Sequence, residues 1–259
     1  MSIYVMSDLH GRFTEFQQML KKIDFGNDDI LVIAGDIIDR GTENYQILQW
    51  MEGKHHNVEF IKGNHDYLFE QDVLALDIYK DDIKDKYHML KMKDENYDKY
   101  GTIEQLLFDQ NVSIEQMVRW AKMIEEFPYL KEVCVNDKNY LIVHAGYMDE
   151  YSLSKSPIAL NSTKEEIRFM LYGIENFYLW AREEALIVGG KKDTTIIAGH
   201  TPTIGKGMFD NGGKVLRHQR PEINSVIYDI DCGAGFLDKE PLANMACIRL
   251  EDEEIFYLR

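Results

Sequence analysis

The feature that most constrains this chain is a repeated design: an apolar run that ends in Asp, Asn or His. It occurs in Ile3–Arg12 (IYVMSDLHGR), Ile30–Gly41 (ILVIAGDIIDRG), Val58–Asp66 (VEFIKGNHD), Tyr140–Gly146 (YLIVHAG) and Thr194–Pro202 (TTIIAGHTP). The run at Ile30 is β-branched and does not alternate, so it reads as a strand buried on both faces, typical of an α/β sheet. Gly35 lets the backbone turn tightly and delivers Asp36 at the carboxyl edge of that strand, where open α/β sheets place ligands. One Gly-Asp pair is ordinary turn chemistry. Repetition of the design through the chain points instead to strand ends converging on one site.

Bulk properties exclude several classes. With a net charge of −16 and no long basic run, an obligatory nucleic-acid partner is not expected, because phosphate neutralisation needs clustered Lys and Arg. A phosphate substrate stays compatible, since bound cations dominate a local field. Cys134, Cys232 and Cys247 show no CxxC spacing and fit buried thiols in a reducing compartment. The N-terminus opens into strand-like IYVMSD without a signal pattern, and no apolar run approaches the ~20 residues of a membrane span. A cytoplasmic chain with no membrane partner is expected. The oligomeric state is not legible.

The polar clusters reach from Asp8 to His200 of 259 residues, so cutting the chain would divide the site; a single domain over 1–259 is expected. Helical spacing of Phe13, Phe16, Leu20 and Ile23 predicts a helix after the first strand, with Thr14 and Gln17 as its capping box. A second helix is expected over 45–51. His55-His56 precede a strand and read as a solvated turn. From about 67 to 130 the strand-then-acid design stops, which predicts a helical insertion over the sheet edge. Within it Ser113 and Gln116 cap a stripe at Ile114, Met117, Val118, Ala121 and Ile124; 87–100 reads as a stretch free to move whose methionines and tyrosines serve packing before binding, a substrate-selecting lid being the lesser alternative. A hairpin over 132–144, helices over 163–173 and 176–188, and strands at 195–199, 226–231, 245–250 and 254–258 complete the expectation.

The strand ends supply Asp8, His10, Asp36, Asn64, His144 and His200. Asp8 and His10, two apart in an extended segment, should project the same way. Imidazole, carboxylate and an amide oxygen together suit borderline divalent ions, manganese first with iron or zinc as alternatives, and suit neither a calcium cage nor a thiolate site. Asp36, central in the order, is the expected bridge between two ions. A pair of ions ~3.5–4 Å apart makes hydroxide available near neutral pH and clamps an in-line displacement. Arg40 is placed to hold non-bridging phosphate oxygens. His65 could protonate the leaving group, and Asp39 could orient that imidazole.

These blocks, Asp8-Leu-His10-Gly, Gly35-Asp-Ile-Ile-Asp-Arg-Gly41, Gly63-Asn-His-Asp66, Val143-His144-Ala-Gly and Gly199-His-Thr-Pro202, resemble the phosphoprotein phosphatase branch of the calcineurin-like metallophosphoesterases. The resemblance is to small bacterial and phage-lambda-type Ser/Thr protein phosphatases in particular. It implies a calcineurin-like α/β fold, a β-sandwich of mixed sheets flanked by helices in α/β/β/α layers. It also implies that Asp8, His10 and Asp36 hold a first metal, and that Asp36, Asn64, His144 and His200 hold a second. His65 resembles the family's general acid, Asp39 its partner and Arg40 the first phosphate arginine. Leu179-Trp-Ala-Arg182-Glu looks like the block carrying the second arginine, Arg182. Asp229-Ile-Asp231-Cys-Gly-Ala-Gly is similar to a closing strand and reads as structural.

The expected activity is therefore hydrolysis of phosphomonoesters by a metal-bridging hydroxide, with phosphoserine or phosphothreonine in proteins as substrate. The alternative is a symmetrical dinucleoside tetraphosphatase or another small-phosphoester hydrolase, and the remote alternative a non-catalytic phosphate-binding scaffold. Two departures bear on substrate. Asp66 stands where protein phosphatases carry Glu, whereas the symmetrical tetraphosphatases carry the same GNHD. A Gly-Gly element that often follows the asparagine block in phage-type members is not evident; only Tyr100-Gly101-Thr102 stands nearby.

Overall fold

The structure, a computed structural model, describes residues 1–53, 55–79, 81–156, 173–205 and 207–259. The strands are β1 (Ile3–Met6), β2 (Ile30–Ala34), β3 (Val58–Ile61), β4 (Leu130–Val135), β5 (Lys138–Val143), β6 (Thr195–Ala198), β7 (Leu216–Arg220), β8 (Ser225–Asp229), β9 (Met245–Arg249) and β10 (Ile255–Leu258). Among the described residues they form two five-stranded mixed sheets, ordered β10-β9-β1-β2-β3 and β4-β5-β6-β8-β7. The neighbours β1, β2 and β3 are parallel, as are β5, β6 and β8, while β9 and β10 and the outer strands β4 and β7 pair antiparallel.

Alternation along each strand explains the unbroken apolar runs. Val5, Val32, Ala34 and Ile61 of the first sheet meet Tyr140, Ile142, Ile197 and Tyr228 of the second in the sandwich core. Their neighbours Tyr4, Met6, Leu31 and Ile33 point the other way, into a core shared with Phe16, Met19, Ile47, Leu48 and Phe69. On the outer face of the second sheet, Leu141, Val143, Ile196 and Ile227 pack with Leu186 and Phe209. Both sheets are thus apolar on both faces, which requires helices outside them and gives the α/β/β/α layering.

The helices are α1 (Phe13–Lys22), α2 (Asn44–Glu52), α3 (Asn64–Asp77), α4 (Ile83–Lys93), the short α5 (Thr102–Glu104) running into a π-turn over Gln105–Asp109, α6 (Ile114–Glu125), α7 (Glu150–Ser154), α8 (Ile174–Trp180) and α9 (Glu183–Ile187). No helix among the described residues is long and apolar enough to cross a membrane. Ser113 caps α6 as expected, its Oγ accepting from Gln116 N at 3.3 Å. The hairpin between β4 and β5 turns at Asn136-Asp137, both with positive φ, the geometry of a two-residue primed turn.

Several expectations are corrected. Thr14 does not cap α1: its N–H and hydroxyl both donate to Glu43, at 2.8 and 2.7 Å. The helix expected over 176–188 is two helices, α8 and α9, broken at Ala181-Arg182, where Ala181 is extended. β7 was not anticipated, because an edge strand reading LRHQR lacks an apolar run. Within 87–100 it is the packing reading that holds for the tyrosines and not the lid: Tyr87, Tyr97 and Asp98 are buried, and the Tyr87 hydroxyl donates to Asp98 at 2.8 Å. The helix expected over 163–173 falls outside the described residues except for Gly173.

Candidate metal centre

The carboxyl ends of β1, β2, β3, β5 and β6 meet at one edge of the sandwich. Asp8 and His10 follow β1, Asp36 follows β2, Asn64 and His65 open α3 just after β3, His144 follows β5 and His200 follows β6. All seven are buried. Asp8 and His10 do not converge by extended alternation. Asp8, His10, Asp36, Asp39, Arg40 and His200 have φ of 53°, 46°, 56°, 74°, 66° and 74°, the left-handed region, which costs non-glycine residues about 1–3 kcal/mol each. The loops holding these turns run together: Asp8 N–H donates to Gly35 O at 3.0 Å, and His10 N–H to Asp36 O at 2.9 Å.

Two glycines allow the close approach. A Cβ on Gly63 would fall 2.3 Å from both the N and the Oδ1 of Asp36, and one on Gly199 would fall 2.2 Å from Asp8 Oδ2. Asp66 then clamps the loops. Its Oδ2 accepts from Asp36 N–H at 2.8 Å and Gly63 N–H at 2.9 Å, and its Oδ1 accepts from Ile37 N–H at 3.0 Å. Asp66 is therefore a brace between β2 and β3 rather than a substrate contact. Asp66→Asn, which turns an amide NH2 toward backbone donors, should cost about 1–3 kcal/mol, read as a fall in Tm of about 2–4 °C per kcal/mol.

Lone pairs in this pocket face one another. His10 Nδ1 lies 2.9 Å from Ile38 O and must carry the proton, so Nε2 presents a lone pair. That atom has no hydrogen-bond partner, nor has Asp8 Oδ1; the two are 3.6 Å apart, with Asp36 Oδ2 3.7 Å from the same nitrogen. His144 repeats the pattern. Its Nδ1 donates to Ala34 O at 2.9 Å, and its Nε2 faces Asp36 Oδ1 at 3.3 Å and Asn64 Oδ1 at 2.9 Å. His200 Nδ1 lies 2.9 Å from the same Asn64 oxygen. Acceptors gathered this way fit divalent cations, and a histidine tied to a backbone carbonyl through its other nitrogen is how metal-binding imidazoles are oriented.

The titration of the carboxylates agrees with a site made for cations. Burial, with Asp36 close by, pushes Asp8 up to about 6. Burial pushes Asp36 up to about 7, with Asp66 adding repulsion, and Asp231, buried behind Asp8 and repelled by it, is pushed up to about 8. Burial holds His10 and His200 well below the usual imidazole range. Neutral imidazoles are the form a metal requires, and a cation seated among the crowded carboxylates would relieve the repulsion and desolvation that favour their protonation.

Metal-sized groupings among the described residues are Asp36 with His144 and His200, and His10 with Asp36 and His65. His65 differs from the other imidazoles because its Nε2 faces a donor rather than other acceptors. Nδ1 donates to Asp39 Oδ2 at 2.7 Å, and Nε2 accepts from Arg40 Nη2 at 3.1 Å. Burial lowers the His65 pKa, Asp36 opposes that and Arg40 adds to it. Burial pushes Asp39 up to about 7, against a hydrogen bond from Thr102 and the charge of Arg40. Arg40 lies over the Phe236 ring, 4.9 Å from its centroid, and its buried Nη1 has no partner.

Arg182 is exposed at the break between α8 and α9, with Nη1 3.4 Å from the hydroxyl of Thr201, next to His200. The break that displaced the expected helix is what turns this arginine toward the site.

Sequence reasoning missed the brace role of Asp66 and the aromatic rim. Tyr100 lies with its ring 4.3 Å from that of His65, and Trp180 lies 6.4 Å from His200; their exposures are 40% and 41%. Asp231 was read as structural. Its Oδ1 does cap Gly233 N–H at 2.9 Å, but Oδ2 is buried without a partner.

A symmetrical bis(5'-nucleosyl)-tetraphosphatase from Chromobacterium violaceum is 28% identical over 174 residues, 67% of this chain and 52% of the relative. One from Haemophilus ducreyi is 30% identical over 155 residues, 60% of this chain and 48% of the relative. The chain thus spans about half the length of these curated relatives. In fold it is similar to a protein serine/threonine phosphatase from Saccharomyces cerevisiae, with a TM-score of 0.54, 16% identity and coverage of 99% of this chain and 78% of that one. The sequence profile of the calcineurin-like phosphoesterases matches residues 1–228, and with the two-sheet fold and the gathered ligands this places the chain in that family.

Proposed function

We propose that the chain is a dinuclear metallophosphoesterase that cleaves the polyphosphate bridge of a dinucleoside tetraphosphate symmetrically, to two nucleoside diphosphates. The observation that carries the phosphoester reading is the position of Asp36, one oxygen 3.7 Å from His10 Nε2 and the other 3.3 Å from His144 Nε2. We assign Asp8, His10 and Asp36 to one metal and Asp36, Asn64, His144 and His200 to the other. His65 is left out of the ligand set because Arg40 and Asp39 already use its nitrogens. A pair of divalent ions, manganese by preference, would acidify water and act as a Lewis acid toward the phosphoryl oxygens.

The protein's own groups do the rest. Arg40, through its free Nη1, and Arg182, from the facing rim, hold the non-bridging oxygens. As water oxygen bonds to phosphorus, the bond to the leaving oxygen breaks with its electron pair. His65 Nε2 gives that oxygen a proton, and the proton lost by the water goes to solvent. Asp39, accepting from Nδ1–H, stabilises the imidazolium whose Nε2–H is the proton transferred. In the structure Nε2 accepts from Arg40, which is the arrangement after the proton has left.

Two observations favour a dinucleoside substrate over a phosphoprotein. The relatives described above bear that activity in their names, and Tyr100 and Trp180 offer aromatic faces on either side of the site, each worth about 1–3 kcal/mol to a stacked base. The phosphoprotein reading keeps one observation in its favour. A Ser or Thr alkoxide is a strong base that needs a proton, and the 2.7 Å contact of Asp39 with His65 supplies an oriented acid; a departing nucleotide needs it less. With manganese, diadenosine tetraphosphate should be turned over with a kcat/KM at least ~10-fold above that for a phosphothreonine peptide, by chromatography of products. An equal or reversed preference would return the assignment to protein phosphatase.

A further inference from the structure

Asp39 has partners on both oxygens. Oδ2 takes the His65 Nδ1–H at 2.7 Å, and Oδ1 takes the hydroxyl of Thr102, which comes from the helical insertion. A carboxylate held on one oxygen still turns about its last torsion, which is broad; held on both, its plane is fixed. We propose that Thr102 is a positioning residue for the general acid, its hydroxyl fixing the Asp39 carboxylate and through it the direction of His65 Nε2. This rests on the acid role read for His65 above. Thr102 gives up no proton in the net reaction.

Thr102 is placed rigidly enough for the task. It is buried and opens α5, where the N–H groups of Ile103 and Glu104 both donate to the Asp98 carboxylate at 2.9 Å. Asp98 N–H in turn donates to Asp72 Oδ2 at 2.7 Å. Asp72 lies on α3, the helix whose second residue is His65. The bonds therefore close a ring, from α3 through Asp72, Asp98, Thr102 and Asp39 back to α3 at His65. Tyr100, two residues before Thr102, packs on the His65 ring. The insertion belongs to the machinery of the acid.

Thr102→Val keeps the shape and removes the hydroxyl. In the metal-loaded protein, kcat for phenyl phosphate, whose leaving group needs a proton, should fall about tenfold, and kcat for p-nitrophenyl phosphate about twofold or less, the scale of losing an outer partner. Thr102→Ser should recover most of the loss, and Thr102→Val added to Asp39→Asn should cost nothing further. In the metal-free protein the His65 Nδ1–H proton resonance should shift or broaden in Thr102→Val and be kept in Thr102→Ser. Equal losses on both substrates, an additive double variant or an unmoved resonance would overturn the proposal. His65→Asn in the same series separates two failures. If it is selective for phenyl phosphate and Thr102→Val is not, Thr102 alone is wrong. If His65→Asn loses evenly on both, the acid role fails and takes Thr102 with it.

Discussion

Asp36→Asn should lower the content of both metals and reduce kcat by more than ~10²-fold, beyond the 10–100-fold that loss of an outer partner costs. The expectation follows from the position of this one side chain. Its Oδ2 lies 3.7 Å from His10 Nε2, its Oδ1 3.3 Å from His144 Nε2, and Oδ1 also accepts from His65 N–H at 2.9 Å. An amide keeps one oxygen and turns a donor toward one of the two lone pairs, so at least one seat gains a repelling N–H in place of an anionic ligand. Elemental analysis of protein purified without added metal, beside activity on p-nitrophenyl phosphate, reads both effects. Full occupancy of both seats in the variant would remove Asp36 from the bridge.

His65→Asn should behave in the opposite way, leaving metal content in place and lowering kcat by about 10²–10⁴-fold on substrates with basic leaving groups, the range of a general acid. Its imidazole is held to Asp39 on one side and Arg40 on the other and has no nitrogen left for a cation. Asparagine is close in size, donates no comparable proton, and leaves the α3 backbone as it is. A loss of metal on this substitution would instead make His65 a ligand, in line with its 3.7 Å distance from Asp36 Oδ2. Metal content and the leaving-group series together decide between the two roles.

The strand ends were legible because the physics that makes them is local. A sheet covered on both faces demands an unbroken apolar run, and a cation demands oxygen and nitrogen donors where the run stops, so Ile30–Ala34 followed by Asp36 states both. What stayed hidden depends on partners distant in sequence. Asp66 reads as the last residue of GNHD, a pointer to substrate, until Asp36, Ile37 and Gly63 turn their N–H groups to it. Thr102 is one hydroxyl in a polar stretch, and its value comes from Asp39, 63 residues earlier. The break at Ala181-Arg182 carries no Pro or Gly to announce it. The convergence of Asp8 and His10 was expected for the wrong reason, because left-handed turns at aspartate and histidine leave no periodic trace.

Of the ligands assigned to the second ion, Asp36 and Asn64 hang from the first sheet, and His144 and His200 from the second. An ion seated there would be a rivet through the sandwich, added to the apolar core and to cross-sheet hydrogen bonds such as that of His144 to Ala34 O. Separating the sheets and releasing the ion would then be coupled, so free metal would add to the stability of the fold as well as to its activity.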